Sequence, residues 1–184
     1  MKTRLYILIC VTTMALGSCT NKSHIESDYK NLVGSEIKIP YDSFDVVSYG
    51  LINDDRHKEW TFVSYVDSVE CTPCHMSHVN QWERVQELFK KTGNGLRVVL
   101  IYCPRKQMVE DIKKNYRQSE CSYVIYLDTM RRFMGNNPQI PDNSKMHTML
   151  LDSTGHVVFV GDPTRNVKVK ELLQTYINSV RKSK

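Results

Sequence analysis

The chain is 184 residues long, 41% hydrophobic and 24% charged, with 8 Gly and 6 Pro. That is enough for one well-buried domain and too little for two. No fixed-period repeat, collagen-like triplet or heptad run is present, which excludes fibrous and solenoid architectures. The charge, 25 Lys+Arg against 20 Asp+Glu, is formally +5 with the basic residues scattered, so the sequence carries no nucleic-acid footprint.

The N-terminus reads Met1-Lys2-Thr3-Arg4, then an apolar run from Leu5 to Leu16, then Gly17-Ser18-Cys19. A basic start, a short apolar stretch and small residues before the break make a secretory signal. The run is too short for a bilayer core of roughly 30 Å, which needs about 20 residues. No other stretch qualifies as transmembrane. Leu16-Gly17-Ser18-Cys19 resembles a bacterial lipobox. The resemblance implies a signal segment over 1–18, lipidation of Cys19, a polar tether over 19–34 and a folded domain over 35–184. It also implies a Gram-negative envelope protein, periplasm-facing, touching the membrane through its lipid only, in an oxidising compartment. Removing the signal takes away Lys2, Arg4 and Cys10 and leaves a charge of +3. With Cys19 lipidated, four thiols remain: Cys71, Cys74, Cys103 and Cys121.

Along the mature chain, Glu36–Pro40 and Phe44–Tyr49 are short β-leaning segments around Tyr41-Asp42-Ser43, predicting an N-terminal β-hairpin. Trp60–Val66 is a β-branched and aromatic run, a central strand. A helix is predicted from the following Cys-Thr-Pro-Cys to about Thr92, with Val79, Trp82, Val85 and Phe89 on one stripe and Gly93 and Gly95 stopping it. Leu96–Tyr102 is nearly all apolar, as a strand buried on both faces should be. Gln107–Gln118 is amphipathic, Tyr123–Leu127 another strand, Met130–Met134 a short helix, and Gly135–Ser144 a loop. Thr148–Leu151 and His156–Val160 flank Asp152-Ser153-Thr154-Gly155 as a hairpin. Val167–Val180 closes the chain as a helix with Leu172, Leu173, Tyr176, Ile177 and Val180 inward. The connection rules turn this order into an α/β fold: a central mixed β-sheet, parallel strands joined by right-handed crossovers, flanked by helices.

Cys71-Thr72-Pro73-Cys74 stands where a strand hands over to a helix. Two thiols three positions apart in a first helical turn can close a disulfide. The helix dipole and free N–H groups favour a thiolate at the first of them. Pro73 lies where a missing N–H costs nothing, and Cys74, one turn deeper, is the natural resolving thiol. Glu70, directly before Cys71, works in the opposite direction, since a neighbouring carboxylate raises a thiol pKa.

On this motif and on Thr148-Met149-Leu150-Leu151-Asp152, the chain resembles the thioredoxin fold, specifically the envelope-anchored TlpA/ResA-like group, over roughly Glu36 to Lys182. The resemblance implies a thiol–disulfide oxidoreductase needing no organic cofactor or metal. Cys71 is then the attacking nucleophile and Cys74 the resolving partner, with Thr72, Pro73 and Glu70 supporting the motif. Its partners are client proteins with disulfides or thiols and an unidentified envelope redox partner. The family's cis-proline, part of the substrate loop, falls at Met146 with His147 beside it. A non-proline cis bond costs about 2.5–4 kcal/mol, so this loop is expected to be trans or rebuilt. The place of the family's buried acid, six residues before the first Cys, holds Tyr65.

The same residues admit other readings. Cys71-Thr72-Pro73-Cys74-His75 also matches the c-type haem attachment pattern, although such domains are helical and this motif follows a β-rich run. His75 and His78 with the two cysteines form a possible zinc set, but they crowd into eight residues on one helix. A peroxiredoxin would carry Thr where Cys71 stands. A redox-inert binding module would keep the fold and use the Met146–His147 loop for docking. Cys103 falls at the active edge of the sheet and Cys121 at the opposite one, too far apart to bridge. Both then read as buried free thiols, with Cys103 as an auxiliary thiol in the sharper version.

Overall fold

The computed structural model describes residues 23–182 apart from 49–57, 71, 92, 94 and 119–122. Cys19, Cys71 and Cys121 thus lie outside the described residues. Two apolar runs form the centre of the sheet: β2 (Trp60–Val66) and β3 (Leu96–Tyr102) are parallel, in register from Trp60 against Leu96 to Val66 against Tyr102. Being buried on both faces, they need apolar side chains at successive positions rather than at alternate ones. Next to β3 lies β4 (Ile125–Leu127), parallel to it, and then β1 (Asp45–Val47), antiparallel. On the other side β5 (Thr148–Leu151) pairs antiparallel with β2, and β6 (Val157–Val160) with β5. The order is β1-β4-β3-β2-β5-β6.

Helices over 23–32 (α1), Thr72–Met76 (α2), Trp82–Lys90 (α3), Val109–Gln118 (α4), Arg132–Asn136 (α5) and Val167–Lys182 (α6) complete the described fold. On one face of the sheet, Trp82, Val85 and Phe89 of α3, Ile112 and Tyr116 of α4, and Leu173 and Ile177 of α6 pack on Phe62, Leu100, Leu150 and Phe159. On the other, Tyr65, Ile101, Met149 and Leu151 lie under Leu32, Ile37, Phe44, Phe133, Ile140 and Met146.

Four expectations are corrected. The N-terminal β-hairpin does not form. Glu36 bridges His156, beside β6, whereas β1 joins β4 at the far edge. The chain between them crosses a whole sheet face, because Ile37 and Phe44 are buried in the core there and Asn137 holds its backbone. The segment read as a tether is helical over 23–32. Its polar surface carries Glu26–Lys30 and His24–Asp28 pairs one turn apart; Leu32 is fully buried at its end, and Gly34 at φ 83° stops it. The long helix after the motif is broken into α2, a 3-10 turn at Val79–Gln81 and α3. Beside the break the Ser77 hydroxyl donates to the Cys74 carbonyl, a bond that competes with helix continuation. Leu172 faces solvent at 62% exposure, since Leu173 and Ile177 already fill the inward stripe of α6.

Candidate functional site

β2, β3 and β4 all end at one edge of the sheet, and each hands over to a residue that shapes it. After β2, residues 67–70 form a turn closed from both sides. The Glu70 N–H donates to the Asp67 carbonyl at 3.0 Å, and the Asp67 N–H donates to Glu70 Oε1 at 3.1 Å. The turn delivers the chain to position 71 and to α2, where Thr72 is buried, Pro73 is second, and Cys74 is exposed and disulfide-bonded. Since α2 is five residues long, the field at its N-terminus is that of a short helix.

Glu70 is the hub of this edge. Its Oε2 lies 3.3 Å from Nε2 of His75 on α2, and its Oε1 lies 3.8 Å from Nδ1 of His147 in the loop before β5. At 3.8 Å the second contact is too long for a hydrogen bond and is electrostatic. Burial pushes the Glu70 carboxyl up. Attraction to His147 and His75, with the Asp67 N–H, outweighs it and holds the carboxyl far below the usual carboxylate range. Glu70 is therefore ionised. Its charge is taken up by the turn N–H and by His75, with His147 at longer range, rather than left bare beside the motif.

The loop reaches the edge as a 3-10 turn, Ser144–Met146, followed by His147. No cis peptide occurs among the described residues, so the expected trans loop is present. The Met146 N–H donates to the Asn143 carbonyl at 2.9 Å. The Tyr65 N–H donates to the His147 carbonyl, also at 2.9 Å, which fixes the loop to β2. Met146 and His147 are both buried. Met146 packs in the apolar cluster with Tyr65 and Phe133, and His147 sits on the Tyr65 ring edge with centroids 5.6 Å apart.

Beneath the edge lies Cys103, directly after β3, free and buried. Burial pushes its thiol pKa up despite the neighbouring Tyr65 hydroxyl. Burial, with that thiol, pushes Tyr65 up as well. A buried, protonated thiol is a poor nucleophile, so the auxiliary-thiol version of Cys103 is not supported.

Sequence reading passed over four charged residues here. Asp67 takes a bidentate pair from Arg131, at 3.0 and 2.8 Å, joining the turn after β2 to the turn after β4. Asp128, fully buried directly after β4, caps α5 by accepting from the N–H groups of Arg132 and Phe133, both at 2.8 Å. The signal was available: an acid stands immediately after each of two strands that end at the motif's edge. Arg165, 3.1 Å from His75 Nε2, gives no such signal, being remote in sequence. His78 Nδ1 is paired with Gln81 at 2.9 Å. Among the described residues no group of three or more His, Cys, Asp and Glu is placed to hold a metal ion, and no helix is long and apolar enough to cross a membrane.

The chain matches no protein-family model and no curated protein sequence. Solved structures do resemble it. The PrxQ protein of Xylella fastidiosa, in a mutant form, is 11% identical with a TM-score of 0.54, the match covering 80% of this chain and 96% of that one. A thiol:disulfide interchange protein from Bacteroides sp. is 14% identical with a TM-score of 0.50, covering 79% and 90%. The match to a thioredoxin-like protein from Bacteroides caccae is 16% identical with a TM-score of 0.48; it covers 89% of this chain and spans 55% of the other's length. At these identities the likeness is one of fold. The fold is thioredoxin-like, a mixed six-stranded sheet flanked by helices.

Proposed function

We propose that this protein is a thiol–disulfide oxidoreductase of the bacterial envelope, lipid-anchored at Cys19 and acting through Cys71 and Cys74. The observation that carries the reading is Cys74 itself, exposed and disulfide-bonded in α2, the first helix after β2. The sequence supplies Cys71 three positions earlier as its partner. Written as a reduction, the Cys71 thiolate attacks one sulfur of a client disulfide. The client S–S bond breaks, and its electron pair leaves on the second client sulfur, which takes a proton. Cys74 then loses its proton and attacks the Cys71 sulfur. The mixed disulfide breaks, and the first client sulfur departs and is protonated. Two electrons and two protons pass to the client, and the run in reverse is an oxidation. Met146 and His147 are both buried, and the Met146 N–H, the His147 N–H and the His147 carbonyl are already bonded to Asn143, Ser144 and Tyr65. The same burial disfavours a binding module that docks through those two side chains.

The test is trapping. Cys74→Ala removes the resolving thiol, and mixed disulfides with envelope proteins should accumulate on Cys71. Cys71→Ala should accumulate none. Equal trapping by both variants, or no turnover of any protein disulfide by the wild type, overturns the reading. Acyl mass on residue 19 of protein from its native envelope tests the anchor.

A further inference from the structure

His147 is almost wholly buried, 2% exposed. Its Nε2 lies 3.0 Å from the Pro141 carbonyl oxygen. A carbonyl only accepts, so Nε2 carries a hydrogen. In the neutral ring Nδ1 then holds a lone pair. That atom is buried without a hydrogen-bond partner and faces Glu70 Oε1 at 3.8 Å. With the ring neutral, two acceptors thus oppose each other, one on a buried ring and one on a carboxylate whose side chain is 18% exposed. One proton at Nδ1 turns the opposition into a donor facing a carboxylate, while Nε2 keeps its carbonyl.

The surrounding charges leave that proton a single destination. Glu70 is ionised, as argued above. His75 Nε2 on α2 lies 3.3 Å from the other carboxylate oxygen and accepts from the Arg165 guanidinium at 3.1 Å. Tyr65 of β2 presents its ring edge, and burial keeps its hydroxyl protonated. Asp67, in the same turn as Glu70, is committed to Arg131.

We propose that His147 is a positioning residue for the exchange reaction: it takes a proton from solvent at Nδ1 and closes onto Glu70, tying the loop before β5 to the turn that directly precedes Cys71 in the sequence. The proposal rests on the redox reading above. It adds that the charge on His147 and the thiolate at position 71, one residue from Glu70, support each other. By linkage, forming the thiolate raises the proton affinity of His147 as much as the charged His147 favours the thiolate.

The test follows the His147 ring by ¹⁵N NMR across pH in the full chain, its signals assigned by through-bond correlation. Wild type and Glu70→Gln are compared, each oxidised and after dithiothreitol. Below its titration His147 should be doubly protonated, and above it the Nε2–H tautomer should appear. Glu70→Gln should weaken proton binding by about tenfold or more. Reduction should strengthen it in the wild type by about fivefold or more. A neutral Nδ1–H tautomer, or an unchanged affinity in Glu70→Gln, overturns the tie. An unchanged affinity on reduction, with two thiols demonstrably released, overturns the coupling and leaves the redox reading standing. If dithiothreitol releases no thiols, the redox reading fails, and the coupling fails with it. The Glu70→Gln shift then decides whether the tie itself exists.

Discussion

On one face of the sheet α3, α4 and α6 lay apolar stripes across the central strands, and few polar side chains are buried between them. On the other face the cover is irregular: the end of α1, the crossing segment around Ile37–Phe44, α5 and the loop at 137–147. Irregular backbone cannot satisfy its own N–H and C=O groups, so this face depends on buried polar side chains that do. Asn137 accepts from the Lys38 N–H and donates to the Lys38 and Phe133 carbonyls, at 2.8, 2.8 and 2.7 Å. Asp128 caps α5, and His147 holds the Pro141 carbonyl. The helical face is stabilised by area, the irregular face by a few specific bonds. The candidate site sits at the edge where the irregular face meets the strand ends.

The largest effect should come from the helical face. Phe89, 1% exposed, packs edge-on against Phe62 with ring centroids 6.4 Å apart. Phe89→Ala should cost about 3–5 kcal/mol in chemical denaturation and shift the whole transition. A loss below about 1 kcal/mol would mean that this face collapses around the cavity and is far less rigidly packed than described.

Asn137→Ala should come next, at about 2–4 kcal/mol, because it takes the side-chain partner from three backbone groups, the buried Phe133 carbonyl and the part-buried N–H and carbonyl of Lys38. Its signature should be local. Native-state hydrogen exchange should accelerate at Lys38 while the amides of α3 keep their protection. Equal acceleration in α3 would show that the two faces open together, and the contrast between them would lose its energetic meaning.

The same division decides what the sequence reveals. Trp60–Val66 and Leu96–Tyr102 are strands over those very residues, and Val79, Trp82, Val85 and Phe89 are buried as their spacing demands, since periodicity records a regular element meeting a flat surface. Ile37 and Phe44 looked like two strands of a hairpin because β propensity says only that a residue suits an extended, half-buried path. It does not name the neighbour, and here a bridge to His156 and pairing with β4 take the two ends apart. Leu172 misleads for a related reason: an apolar residue one step off the stripe can be exposed without penalty. In the site, the Cys-Thr-Pro-Cys spacing and the strand-to-helix handover were legible. The joining of Glu70, His75, His147 and Arg165 was not, because nothing local in any of those segments encodes contacts 77 and 90 residues apart.

The smallest effect belongs to the hub. Glu70 is held far below its ordinary value of 4.5, so its interactions favour the folded state only while it is ionised. A carboxylate whose folded pKa is depressed contributes fully above its unfolded value, and that contribution is lost as pH falls toward the folded one. Glu70→Gln removes the charge and nearly keeps the shape. The stability difference between wild type and Glu70→Gln should therefore be about 1–3 kcal/mol above roughly pH 5. It should shrink steadily as pH falls below 4.5, because protonated Glu70 comes to resemble the glutamine. Urea denaturation of both chains at a series of pH values reads this directly. A difference that grows toward acid would mean that Glu70 is protonated more readily in the folded chain than in the unfolded one. Its burial would then outweigh the two histidines, and the irregular face would lose the charged residue that links its loop to the motif.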